Sequence, residues 1–169
     1  MKKIILFVLL ACMLASGMFI QQNKQLKDGL YLVDKILYDT HAVSLNPNQA
    51  LVPFNRDFTE VAADNSTGLI INTADFVPLT LQDEPVLLLQ TETKKKLQLT
   101  FSQQAAEKLE QFTGRNVMKQ AAIVVGGEAL TIHKIRDKIH GNKMEITGGG
   151  DDALRRIYAT LKNHNVEKH

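Results

Sequence analysis

One cysteine, no tryptophan, four prolines and ten glycines in 169 residues set the first bounds on this chain. The lone Cys12 lies near the amino terminus, so residues beyond it can form neither a disulfide framework nor a CxxC redox or zinc site. Aromatic residues make up only 6%, which argues against a surface of stacked rings for bases, sugars or proline-rich ligands. A charge of one sign is also missing. Lys and Arg total 20 against 18 Asp and Glu, a net +2, far from the balance of a polyanion binder, and no nucleic-acid partner is expected. Catalytic signatures are absent as well: there is no Gly-x-Ser-x-Gly, no His-Glu-x-x-His and no cysteine placed as a nucleophile. Gly148-Gly149-Gly150 followed by Asp151-Asp152 lacks the Lys-Ser/Thr of a phosphate loop and is not a dinucleotide fingerprint. No catalytic residue, metal or cofactor is therefore expected, and an enzyme of unfamiliar type built on isolated serines and carboxylates is kept as an alternative. With 44% hydrophobic and 22% charged residues, what remains is the composition of a folded protein.

The charge is unevenly placed. Lys2 and Lys3 precede an uncharged run of about 17 residues from Ile4 to Ile20, and without them the rest of the chain has 18 basic against 18 acidic residues. A basic start, an apolar run and the abrupt polar stretch Gln21-Gln22-Asn23-Lys24 fit export across a membrane. Three outcomes compete for residues 1–20. An uncleaved anchor fits the apolar Met18, Phe19 and Ile20 and the lysines on the cytoplasmic side. Cleavage after Gly17 fits the small residues Ala15 and Gly17. Lipidation at Cys12 fits Leu9-Leu10-Ala11-Cys12, which resembles a bacterial lipobox. A buried segment of a cytosolic protein is the remaining reading. Each of the first three places the body at the outer face of a bacterial cytoplasmic membrane or in the periplasm.

Residues 21–92 predict a β-rich region, with short apolar runs at Gly29–Val33, Ala50–Phe54, Gly68–Ile71 and Pro85–Leu89 separated by turn chemistry. Val33 to Leu37 is open between strand and helix. Asn65-Ser66-Thr67 reads as a polar turn, and Lys94-Lys95-Lys96 as the polar entry to a strand. Residues 93–163 are clearer. Alternation over Leu97, Leu99 and Phe101 predicts a strand. Ser102 then caps a helix with the stripe Ala105, Leu109 and Phe112, and Gly114 stands where a left-handed terminal residue is wanted. Two strands flank Gly126-Gly127, a two-residue hairpin turn. A further strand through Met144 to Ile146 leads to a helix capped by Asp151 or Asp152 with the stripe Leu154, Ile157, Tyr158 and Leu161, before a polar tail at 164–169. The fold class is α+β: two helices on one face of a mostly antiparallel sheet, preceded by a smaller β-rich region and the amino-terminal segment.

Leu99-Thr-Phe-Ser-Gln-Gln-Ala-Ala-Glu-Lys-Leu109, Ala121-Ala-Ile-Val-Val-Gly-Gly127, Ile135-Arg136 and Lys143-Met-Glu-Ile-Thr-Gly148 together resemble the head subdomain of the first periplasmic domain of SecD-type protein-export subunits, over roughly residues 94–163. Thr113 and Asn116 fall where that pattern wants them. Gly126 replaces an acidic turn residue and Asn142 a turn glycine, while the prolines of the family arm give way to His133 and Lys138. The resemblance implies a fold and a peptide-facing setting outside the membrane, with exported or envelope polypeptides as partners. It does not imply the proton-driven motor, whose membrane helices are not expected in a chain that ends at His169. The arm from His133 to Lys143 is the densest basic cluster: His133, Lys134, Arg136, Lys138, His140 and Lys143 form a candidate docking edge. A solvated edge whose lysines discourage sheet pairing accounts for the same residues.

Overall fold

The computed structural model describes residues 26–38, 43–54, 68–89, 95–147 and 151–166. The amino-terminal segment with Cys12, the tripeptide Asn65-Ser66-Thr67, Lys94 and Gly148–Gly150 lie outside the described residues, as do the side chains of Asp151 and Asp152. In chain order the elements are β1 (Gly29–Leu37), β2 (Gln49–Pro53), β3 (Gly68–Pro78), β4 (Val86–Leu89), β5 (Lys95–Thr100), α1 (Gln103–Arg115), β6 (Gln120–Val125), β7 (Glu128–Lys134), β8 (Lys143–Thr147) and α2 (Asp151–Val166). Each of the four apolar runs before residue 90 contributes a strand. β1 and β3 outlast their apolar runs because each extension pairs with the other strand, Lys35–Leu37 with Gly68–Ile70 and Phe76–Pro78 with Gly29–Tyr31. The open stretch Val33 to Leu37 is strand, paired from Val33 opposite Ile71 to Leu37 opposite Gly68 with a register shift between Val33 and Lys35.

The α+β class holds, with every ladder antiparallel. The expected order of strand, helix, three strands and helix after residue 94 also holds, but those strands do not share one sheet. β6 and β7 join a five-stranded sheet ordered β2-β3-β1-β6-β7, whereas β5 and β8 join β4 in a three-stranded sheet ordered β4-β5-β8. The reason lies in β6. Ala121, Ile123 and Val125 enter one core and Ala122 and Val124 another, so both faces of the strand need cover, and a single sheet with helices on one face would leave one of them wet.

The larger core lies between the two sheets and the helices, around Leu97, Leu99, Phe101, Leu109, Phe112, Leu154 and Ile157. A smaller one fills the other face of the five-stranded sheet, with Tyr31, Val52, Phe54, Leu69 and Ile71. That sheet curls until Phe54, just past β2, bridges to Ala129 in β7. Tyr31 stacks on Phe76 with centroids 4.9 Å apart and rings within 5° of parallel. Its hydroxyl donates to the Lys27 carbonyl at 2.6 Å, and burial, with Asp28 nearby, pushes its pKa up to about 12.

Ser102 caps α1 as expected, accepting from the Ala105 N–H, and Ala105, Leu109 and Phe112 form the buried stripe. Gly126 and Gly127 take φ of 60° and 85°, the primed hairpin turn. Two expectations about turns are corrected. Gly114 is not a left-handed terminus, because α1 continues to Arg115 and is closed by Asn116 at φ −123°. Asn116 Nδ2 donates to the Phe112 carbonyl at 2.9 Å, which satisfies an end-of-helix acceptor without a left-handed glycine. The non-glycine residue found at positive φ among those described is Met118, at 70°, and in the later turn Gly141, not Asn142, has the positive φ. In α2, Leu154, Ile157 and Leu161 are buried and Tyr158 packs against them.

Candidate interaction surface

β7 does not simply end at Lys134. The Ile135 N–H donates to the Lys119 carbonyl at 2.9 Å, and the Met118 N–H to the Ile135 carbonyl at 2.7 Å, which prolongs the pairing with the chain before β6. Ile135 is buried. The arm then crosses the last turns of α1 and is fastened there twice. The Ile139 N–H donates to Thr113 Oγ1 at 3.0 Å, while the same hydroxyl donates to the Leu109 carbonyl at 2.7 Å. Next to this pair, Lys138 Nζ lies 2.7 Å and His140 Nδ1 3.3 Å from Glu110 Oε1. The Lys138 hydrogen bond, with the charges of Lys138 and His140, holds the Glu110 carboxyl below its ordinary pKa. Gly114 gives room for this crossing: a Cβ there would stand 3.2 Å from Lys138 Cδ.

The six residues singled out in the sequence therefore occupy different settings. His133 sits within β7 opposite Ala121, half-buried, with Nε2 sealed from solvent and without a hydrogen-bond partner among the described residues. Burial pushes its pKa down, which favours the neutral imidazole. Thr131 Oγ1, two residues earlier on the same face, is likewise unpartnered. Lys138 and His140 are turned onto Glu110. Lys134 and Arg136 remain exposed along the arm, and Lys143 is in the other sheet, at the start of β8 opposite Thr100. The missing arm prolines are replaced by clamps, one of them supplied by Thr113, while Asn116 closes α1.

A second surface was not singled out in the sequence. β4 pairs only with β5, from Val86 opposite Gln98 to Leu89 opposite Lys95, so its other edge carries no strand among those described. Leu87 packs on the larger core, but Val86 is 45% and Leu89 71% exposed. The sequence signal was available: Val-Leu-Leu-Leu is apolar at every position, too much for a strand with one wet face. Among the described residues, no group of three or more His, Cys, Asp or Glu side chains is placed to hold a metal, and no helix is long and apolar enough to cross a membrane.

Comparison with known proteins places these features. Residues 80–157 match the family described as SecDF, P1 head subdomain. A solved structure described as a membrane component SecDF that enhances protein export is 28% identical, over 50% of this chain and 39% of that chain, with a TM-score of 0.41. A structure of SecDF in a super-membrane-facing form is 24% identical over 81% of this chain and 19% of that one, with a TM-score of 0.45. The chain thus spans less than half the length of either. No curated protein matches it. The matched stretch starts earlier than the resemblance expected from residue 94 and takes in β4, so the similarity to the SecDF P1 head subdomain extends over residues 80–157.

Proposed function

We propose that this protein is a non-catalytic accessory module of protein export that works outside the cytoplasm, in the periplasm or on the periplasmic face of the bacterial cytoplasmic membrane, and contacts exported or envelope polypeptides. The match of residues 80–157 to the SecDF P1 head subdomain carries the reading. The basic start and apolar run of residues 1–20 support delivery across the membrane, as an anchor or a signal. The contact surface includes Lys134 and Arg136, two exposed cations of the arm that no close ion pair engages among the described residues. Lys138 and His140 act one step back, holding the arm on Glu110.

Two measurements test this. The full chain, isolated with whatever amino-terminal processing it undergoes, should retain an unfolded exported precursor diluted from urea in preference to the same protein folded, and Lys134→Glu with Arg136→Glu should weaken retention. Equal retention by the charge-reversed chain removes the arm from the contact, and no preference for the unfolded precursor removes the client reading. Mass analysis of the amino terminus in membrane and soluble fractions should show an intact segment in the membrane or a start after Gly17. An intact, unmodified chain in the cytosol would overturn the location.

A further inference from the structure

We infer that the edge of β4 that no described strand occupies takes up an extended, apolar polypeptide segment as a fourth strand of the β4-β5-β8 sheet. The inference rests on the client reading above and specifies where and how the chain would be held.

Four strands end the two sheets: β2 and β7 in one, β4 and β8 in the other. Three of them are blunted in the ways that edge strands usually are. β2 ends in Pro53 and is followed by the Phe54–Ala129 bridge, which also engages β7. β7 further ends in the exposed Lys134. β8 carries Lys143 and Glu145 outward. β4 has neither a charge nor a proline in its span.

The side-chain pattern singles out the same edge. With Leu97, Leu99, Met144 and Ile146 turned into the core, the outer face of the sheet presents Lys96, Gln98 and Glu145, joined by hydrogen bonds of 2.7 Å from Lys96 Nζ and 3.4 Å from Gln98 Nε2 to Glu145 Oε1. Antiparallel register puts Val86 and Leu88 on that outer face, beside Gln98 and Lys96. A polar face thus turns apolar only at its rim. In a strand paired on one side, alternate residues direct their N–H and C=O groups outward. The edge is also held in place before any ligand arrives: the Gln82 N–H donates to the Thr100 carbonyl at 2.8 Å, Leu81 bridges to Phe101, and Lys162 of α2 lies 3.2 Å from Glu84.

Size decides between an extended client and a second copy of this chain. Four residues at ~3.3 Å each make an edge of about 13 Å, whereas a stable dimer needs roughly 800 Å² and 20–30 residues from each partner. So short an edge fits a brief grip on a passing chain, in which main-chain hydrogen bonds give affinity with little dependence on sequence.

The probe is a short fluorescent peptide of alternating valine and threonine, with a copy N-methylated on alternate amides as control. The full chain should bind the first and not the second, and binding should slow hydrogen exchange of the outward amides of β4. Val86→Lys with Leu89→Lys, both at exposed positions, should leave circular dichroism unchanged and weaken binding at least about tenfold through a charged edge. Equal binding by wild type and the doubly substituted chain overturns the inference. So does protection of the β4 edge before peptide is added: with a dimer in sedimentation the occupant is a second copy, and with a monomer it is another segment of this chain. If the unfolded precursor is retained equally by wild type and the β4 variant, this inference fails and the proposed function stands. If wild type retains neither precursor nor peptide, both fail.

Discussion

Thr113→Val tests whether the arm is held by a hydroxyl rather than by its basic residues. Thr113 is 1% exposed, and its Oγ1 accepts from the Ile139 N–H at 3.0 Å while donating to the Leu109 carbonyl at 2.7 Å. Valine keeps the shape and removes both bonds. The Leu109 carbonyl keeps its place in the helix ladder, so that loss is small. The Ile139 N–H is left in a partly buried site without an acceptor, which costs ~1–3 kcal/mol. The neighbouring Glu110 pairs are exposed and add little. A destabilisation of about 2 kcal/mol follows, or a fall in Tm of about 4–8 °C for a chain of this size. Urea denaturation gives the free energy, and hydrogen exchange should show faster exchange at Ile139 and its neighbours than in the wild type. Thr113→Ser, which keeps the hydroxyl, should restore protection at Ile139. Unchanged Ile139 exchange in the valine variant, with stability within about 0.5 kcal/mol of wild type, would refute the reasoning.

Leu99 is 0% exposed in the larger core, so Leu99→Ala should cost about 3–4 kcal/mol by denaturant titration, with a smaller loss indicating that the helices close over the cavity. Gly114→Ala removes a glycine from the last turn of α1, which favours stability by up to ~1 kcal/mol. The new Cβ meets only the flexible Lys138 side chain, at 3.2 Å, so a net gain of about 0.5 kcal/mol is expected, together with loosening of Lys138 from Glu110 visible in Lys138 side-chain NMR. Burial lowers the His133 pKa from its ordinary value of 6.5, so the unfolded chain takes up that proton first as the pH falls. Stability from the neutral imidazole is therefore full above about pH 6.5 and is lost as the pH falls through the lower folded value, and His133→Gln should flatten this part of a stability–pH curve.

The elements of the second half were legible because their signals are local. Alternation fixed the face of Leu97, Leu99 and Phe101, spacing fixed the stripe of Ala105, Leu109 and Phe112, and two adjacent glycines specified their turn. Sheet membership was not legible, since β5 and β8 pair with β4 while β6 pairs with β1, partners separated from it by about 90 residues. No window of sequence contains such a pairing. What the sequence did contain was the clue that β6 has no polar face.

The six basic residues of the arm occupy different settings for a related reason. Charge density along a chain shows how many cations lie close together, but not which ones already have partners. Glu110, on a helix turn more than 25 residues earlier, engages Lys138 and His140, and the Ala121 pairing draws His133 into the sheet. Lys134 and Arg136 stay exposed because the bonds that fix this part of the arm run through the backbone of Ile135 between them. The β4 edge inverts the case: four apolar residues read as core by composition, yet two of them are exposed because the sheet stops there. For both surfaces the deciding quantity is whether a neighbouring element uses the group, so the substitutions that discriminate are those at exposed positions, Arg136 on the arm and Val86 on the edge, where a lost contact cannot be mistaken for a lost fold.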